Sequence, residues 1–432
     1  MIADSLRAGA RLAKSVWATR RVFGGGQHET LTDLHRIWGD RFTFLMGRRL
    51  ATVLADPAEV REMFEQSQDV LSASESRRRL VGVLPPKSVP YQQGEAHARA
   101  RKALAKAFAY ASKEFRLRPL LDEMADGLRG DASLEQAVID FCYRLAAEYV
   151  LGRADQELSD RLKAAVTDAA GKIHPMVLAF PVFRRLPGTA AQFRHLAQTR
   201  DELLRVIEEQ LVDGEGGPAE GSLGYHLLRD GAENGMSREE IRDNLGMVAM
   251  ATAFNLRIVL INALHTLAEN PEWQEKIRDA SDTNQQARSA SPAALPRAVI
   301  KECLRVSPVV PLVSRMVKRD VVIGGKLYRA GQILFASPWL THFRAAGWEN
   351  PTEFDPTRFL NGAQHGYNYL PFGGGSNHCI GSGWSVDVTA GVVRRLVTEF
   401  RLIDTRKNDQ ANPFRYQVFN LVRKSFDVEV TC

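Results

Sequence analysis

The chain has 432 residues, 44% of them hydrophobic and 25% charged, proportions of a globular protein with a large core that exclude a disordered or low-complexity chain. Its formal charge of +6 is not gathered into a basic tail, so a solvated surface is the simplest account and nucleic acid is not an expected partner. Four cysteines, Cys142, Cys303, Cys379 and Cys432, are scattered with no CxxC pair, which excludes a disulfide framework and fits a reducing, cytoplasmic setting.

Residues 1–26 (MIADSLRAGARLAKSVWATRRVFGGG) are basic and weakly amphipathic, with no apolar run of signal-peptide or membrane-spanning length. They read as an N-terminal extension, partly flexible, and no membrane partner is expected. Residues 42–54 then carry a strand-like pattern, and apolar residues recur at helical spacing over 55–66, 94–109, 133–152, 158–171 and 188–212. Gly24–Gly26, Asp213–Gly221 and Asp279–Ser291 read as loops.

The run 237–269 differs from the others, because Leu245, Met247, Val248, Met250, Phe254, Ile258, Val259, Ile261, Leu264 and Leu267 surround nearly its whole circumference. A helix apolar all round is buried. At 1.5 Å per residue the stretch 241–267 is about 40 Å long, enough to cross a domain. Asn255, Arg257 and Asn262 make it too polar for a membrane span, and Asn270–Pro271 supplies a stop. Helical runs follow at 292–305 and 382–400, with strand-like runs at 321–336 and 416–430. The pattern predicts a mainly α fold: one domain over 1–432, a large helical body around a long buried central helix, and small antiparallel β-sheets.

Chemistry concentrates in Phe372-Gly373-Gly374-Gly375-Ser376-Asn377-His378-Cys379-Ile380-Gly381, which fits the pattern FxxGxxxCxG at every fixed position. A chance match in a chain this long is on the order of one in a thousand. Glycines let backbone pass close to a flat ring, and the following helix start aims amides at the sulfur, favouring a thiolate. A buried, inert cysteine in a glycine-rich turn is the bland alternative. Upstream, Glu302-Cys303-Leu304-Arg305 places an acid and a base on one helix face, and Phe354-Asp355-Pro356-Thr357-Arg358-Phe359 follows it. His97 and Arg101, four residues apart, share another face as two carboxylate donors.

Together these motifs resemble the cytochrome P-450 superfamily of haem-thiolate proteins, soluble bacterial type. The resemblance implies haem b (iron protoporphyrin IX) with Cys379 as the metal ligand, held in a loop shaped by Phe372, Gly373 and Gly381. It implies propionate contacts from His97, Arg101 and Arg315, with His378 as a further candidate beside Asn377, where most members place Arg or His. Glu302, Arg305 and Arg358 would form a structural network beneath the ligand loop.

The central helix departs from the family pattern A-G-x-(D/E)-T. Counting back from Asn270-Pro271 sets Ala251-Thr252-Ala253-Phe254-Asn255 over it, so Phe254 replaces the acid and Asn255 the alcohol. Thr252, three residues earlier, is the alternative for that role if the offset differs, and no carboxylate lies between Gly246 and Leu267. Asn255 can still orient a water. The pocket is expected to be lined by residues 70–90, Met247, Met250, Ala251, Phe254, and Pro311-Leu312-Val313, under a roof formed by His174–Phe193. Arg257, a buried cation, is expected to pair with a protein acid or reach a polar pocket away from the haem, with a substrate carboxylate as the alternative. Arg99, Lys102, Lys106, Arg394 and Arg395 form a candidate basic face for an acidic ferredoxin.

The expected function is a monooxygenase oxidising a mid-sized lipophilic or aromatic substrate, natural products included, with dioxygen and external electrons. A peroxide-using or hydroperoxide-rearranging enzyme is the alternative, and a non-catalytic haem-binding relative the third reading.

Overall fold

The computed structural model describes residues 27–46, 48–78, 84–130, 132–153, 155–170, 186–212, 217–281, 293–360, 365–405, 414–417, 420–423 and 428–431. The N-terminal extension, Gly24–Gly26, Cys432, most of the roof segment and parts of the other two predicted loops lie outside these residues.

Helices occupy the periodic runs: Pro57–Glu65, Gly94–Glu114, Leu134–Leu151, Gln156–Ala170, Pro187–Gln210, Ala294–Val306 and Ser382–Glu399. Their ends have local causes. The Asp56 carboxylate accepts from the amides of Ala58 and Glu59 ahead of a first-turn proline. Ser133 caps Gln136, and Gly152 closes that same helix in the left-handed conformation. Gln27–Trp38, Arg118–Arg129, Leu223–Glu233 and Pro271–Ser281 are also helical, where the sequence reading leaves connections.

The central element starts at a capping box, in which Ser237 and Glu240 satisfy each other's backbone amides. It runs as α-helix over Arg238–Ala251, widens to a π-helical turn over Thr252–Leu256, and resumes over Arg257–Glu269. The expectation of one uninterrupted helix is corrected here. The polarity argument is corrected as well: by length and composition Arg238–Glu269 could cross a membrane. What marks it as a core helix is packing, since Leu245, Leu256, Ile258, Leu260, Leu264 and Leu267 are buried against the surrounding helices.

Four small sheets sit beside this body. β1 (Arg41–Met46), β2 (Arg49–Leu54), β3 (Leu71–Ser72), β4 (Val313–Val317) and β7 (Ile333–Ala336) form one sheet in the order β1-β2-β7-β4-β3. β5 (Val321–Ile323) pairs with β6 (Lys326–Tyr328). β8 (Arg401–Asp404) pairs with β11 (Val428–Thr431), and β9 (Phe414–Gln417) with β10 (Asn420–Arg423). The prediction of antiparallel sheets holds for all of these ladders but one. β2 and β7 run parallel, joining Ala51–Leu54 to Ile333–Ala336.

Candidate functional site

The loop before the helix Ser382–Glu399 is shaped by close backbone contact. Gly373 and Gly375 have φ of +70° and +64°, a region that suits glycine. A Cβ on Gly375 would lie 2.3 Å from the Phe64 carbonyl oxygen, so the loop presses directly on the helix Pro57–Glu65. The Cys379 amide donates to the Phe372 carbonyl at 3.0 Å and the His378 amide to that of Gly375 at 3.1 Å. These bonds turn the chain so that Gly381 caps the helix that follows.

Cys379 is exposed, yet the protein around it desolvates the sulfur and pushes its pKa above the usual thiol value. The Gly381 amide and the Arg101 charge act in the opposite direction, favouring the thiolate.

Four basic side chains cluster at this loop. His97 is buried, with Nε2 3.1 Å from the Asn377 side-chain amide and Nδ1 3.1 Å from that of Gln68. Burial, then the charges of Arg101, Arg77 and Arg315, lower its pKa to about 4. Arg101 donates to the His378 carbonyl. Arg315 is 4% exposed; it donates to the Ser314 carbonyl at 2.9 Å, and its guanidinium lies 5.0 Å from the centre of the Phe64 ring. Burial and then Arg77 bring its pKa down to about 9. Among the described residues no carboxylate pairs with Arg77, Arg101 or Arg315. Clustered, desolvated cations are costly unless an anion joins them, and the two propionates of a haem carry that charge. This donor set and the accessible cysteine fit the group.

Arg77 is absent from the sequence reading. It ends the five-residue helix Ala73–Arg77 and heads a run of three arginines, so from sequence it reads as a solvated charge. Asn377, at a position where the resemblance led us to expect Arg or His, contacts His97 instead. His378 gives its carbonyl to Arg101, while its exposed ring lies 6.3 Å from that of Phe372.

Beneath the loop, Glu302 and Arg305 are fully buried and joined by two 2.7 Å bonds. Arg305 also donates to the carbonyls of His342, Pro351 and Glu353, and Glu302 accepts from the Asp355 amide at 2.9 Å. Arg358 completes the group at 3.5 Å from Glu302. His342, which the motif reading does not single out, bridges this network to the ligand loop. Its Nδ1 is 3.0 Å from the Arg305 carbonyl, and its Nε2 accepts from the Leu370 amide at 2.8 Å.

On the central helix, Met247, Met250, Ala251, Phe254 and Asn255 are half-buried, as is Val313 on β4, while the intervening Ala249 and Ala253 are buried. Thr252, the alternative alcohol, is buried at 4% exposure, so it does not share that partly open stripe. The π-helical turn spans Thr252, Phe254 and Asn255. Arg257 has no carboxylate partner among the described residues; its guanidinium lies 5.5 Å from the Phe254 ring centre. Of the expected partners, the protein acid is not found among the described residues.

The basic face is largely neutralised. Arg99 pairs with Glu240 at 3.0 Å, Lys106 with Asp230 at 3.2 Å, and Arg395 with Asp122 at 2.9 Å and Glu399 at 2.7 Å. Lys102 and Arg394 remain exposed, with no carboxylate at ion-pair distance among the described residues.

A helical body with a glycine-looped cysteine above a buried Glu–Arg pair, beside uncompensated cations, defines a haem-thiolate protein. The family model described as cytochrome P450 matches residues 14–430, and the chain belongs to that family. A Mycobacterium tuberculosis relative named cytochrome P450 135A1 is 26% identical over 86% of this chain and 84% of its own. One from Mycobacterium bovis, named cytochrome P450 135B1, is 26% identical over 96% and 89%. Among solved structures, the retinoic acid-bound cyanobacterial CYP120A1 shares the fold with a TM-score of 0.75 at 19% identity, covering 95% of this chain and 97% of that one. The family makes the protein a haem-dependent oxidoreductase that acts on a small molecule and draws on a redox partner.

Proposed function

We propose that the protein is a monooxygenase that oxidises a mid-sized lipophilic or aromatic substrate with dioxygen and two external electrons. The observation that supports this reading is the cluster Arg77, Arg101 and Arg315, without a carboxylate partner among the described residues, around the neutral His97 near Cys379. When bound, the haem b supplies the iron at which dioxygen is reduced and a substrate C–H bond is oxidised. Cys379 would hold that iron, its thiolate favoured by the Gly381 amide and Arg101. His97, Arg101, Arg315 and Arg77 orient the propionate edge, while Glu302, Arg305 and Arg358 fix the loop. Met247, Met250, Ala251, Phe254 and Val313 provide apolar walls for the substrate. Phe254 keeps the usual acid position dry, and Asn255 holds a water by hydrogen bonding in place of the usual alcohol.

Lys102 and Arg394 suit an acidic ferredoxin, though with less positive charge than the sequence suggests. The decisive measurement is the absorption spectrum of the reduced, CO-bound protein: a thiolate-type Soret band, lost in Cys379→Ser, is expected. A parent without that band overturns the reading.

Phe254 and Asn255 also favour a second reading, peroxide-driven or hydroperoxide-rearranging chemistry with no electron donor. Turnover that stops when the donor is omitted supports the first reading; donor-independent turnover of a hydroperoxide supports the second. A normal Soret band with no substrate-induced shift and no product under either regime would leave haem binding alone.

A further inference from the structure

Tyr149 lies on the helix Leu134–Leu151 and Trp384 in the first turn of the helix after Cys379. Their ring centres are 4.0 Å apart and their planes inclined by 31°, so the two π systems touch. Phe115 packs edge-on to both, and Phe108 lies 5.6 Å from Tyr149. A Cβ on Gly381 would meet Phe108 at 3.4 Å, which ties this cluster to the ligand loop. Trp384 is the fifth residue after Cys379, at most about 18 Å along the chain even if fully extended.

Two features exceed what packing asks of an aromatic cluster. The Trp384 indole nitrogen is buried with no hydrogen-bond acceptor among the described residues, a deficit that phenylalanine would avoid. Tyr149, itself 1% exposed, shares a 3.0 Å hydrogen bond with the hydroxyl of Ser112, an exposed residue. A second, longer contact at 3.5 Å runs from the Tyr149 hydroxyl to the Phe108 carbonyl.

These features give the two rings different fates on losing an electron. Oxidised Trp384 keeps its proton, because no acceptor among the described residues receives it, and remains a cation in apolar surroundings. Tyr149 can release its proton along the Ser112 hydroxyl to solvent, so its oxidised form is a neutral phenoxyl. An electron vacancy that reaches Trp384 therefore comes to rest on Tyr149.

We propose that Trp384 and Tyr149 form a protective oxidation relay, which drains oxidising equivalents from the cofactor site when no substrate is present. The relay rests on the haem-thiolate reading above. With hydrogen peroxide as the oxidant, one molecule takes two electrons from the holoprotein and two protons from solvent and becomes two waters. Tyr149 replaces one of these electrons at a time through Trp384, its phenol proton leaving through Ser112 to solvent, so two turns of the relay serve one peroxide. An external one-electron donor such as ascorbate, with a proton from solvent, then restores the phenol.

The test uses the haem-loaded full chain, mixed with hydrogen peroxide without substrate and freeze-quenched for electron paramagnetic resonance. A tyrosyl radical is expected, narrowed by ring-deuterated tyrosine, lost in Tyr149→Phe and diminished in Trp384→Phe. Both variants should keep the parent's reduced CO band and lose their Soret absorbance to peroxide faster than the parent. A normal CO band with no tyrosyl signal, or a signal that persists in Tyr149→Phe, overturns the relay alone. A parent without the thiolate band removes the haem-thiolate reading and the relay with it.

Discussion

Arg315 is a buried cation whose partners are backbone carbonyls and the face of Phe64. Its charge is costly until a propionate meets it, so the bound haem and this side chain should stabilise each other. Charge-assisted hydrogen bonds contribute about 1.5–3 kcal/mol, so Arg315→Ala should release haem to apomyoglobin about ten- to a hundredfold faster. Unchanged transfer would remove Arg315 from the propionate contacts. His342 makes a different demand, because Nε2 accepts from Leu370 and the imidazole must stay neutral. Burial lowers its pKa to about 3, whereas the unfolded chain takes up a proton below about 6.5. The contribution of His342 is thus complete above pH 6.5 and is lost as the pH falls toward 3. Urea denaturation across that window should show a shallower acid-side decline in His342→Gln than in the parent.

The pairing of Glu302 with Arg305 was legible because their i,i+3 spacing was taken together with the family resemblance, the same resemblance that singles out Cys379. Arg77, Gln68 and His342 were not, since each gains its place from tertiary packing: Gln68 reaches His97 across 29 residues and His342 reaches Leu370 across 28. An isolated histidine or a run of arginines carries no periodic signal that separates such a place from solvent.

Among the elements, the ligand loop depends on glycine where it presses on Phe64. Gly375→Ala adds a left-handed penalty of about 1–2 kcal/mol to a clash with the Phe64 carbonyl. It should lower the thermal midpoint and convert part of the CO-bound band to a non-thiolate form; a parent-like midpoint and spectrum would show that the loop can retreat. Long helices were readable because a 3.6-residue period sums over many turns, and their ends fell within a few residues of expectation except at Glu114. The π-helical turn Thr252–Leu256 was not, since one extra residue in a turn barely changes that period. Nor were β3, at two residues, and β8, at four, too short for alternation to register. Arg118–Arg129 was missed for another reason, as Gly127 and its charged residues read like a connection.

Across the molecule, the segment 87–92 is tied to the start of the central helix. The Lys87 amide donates to Asp243 at 2.7 Å, the Val89 amide to Asn244 at 2.9 Å, and the Gln92 side chain to Glu240 at 2.9 Å. Glu240 also pairs with Arg99, on the helix that carries His97 and Arg101. One acidic helix start therefore holds both a pocket-side loop and a cofactor-side helix in register. Asn244→Ala strands the buried Val89 amide, a loss of about 1–3 kcal/mol, and hydrogen exchange should rise over residues 87–92 while the body stays protected. Unaltered exchange there would show that the loop is held by other contacts.

The parallel pairing of β2 with β7 has a temporal side. Arg49 reaches the carbonyl of Gly331 across 282 residues, and β7 separates β2 from β4 in the sheet. At ribosomal rates of 5–20 residues per second that interval takes on the order of tens of seconds. Through that delay the β1–β2 hairpin leaves the ribosome with an open edge of backbone donors and acceptors, the kind of edge that recruits foreign strands. A nascent chain halted before Ile333 keeps that edge unpaired.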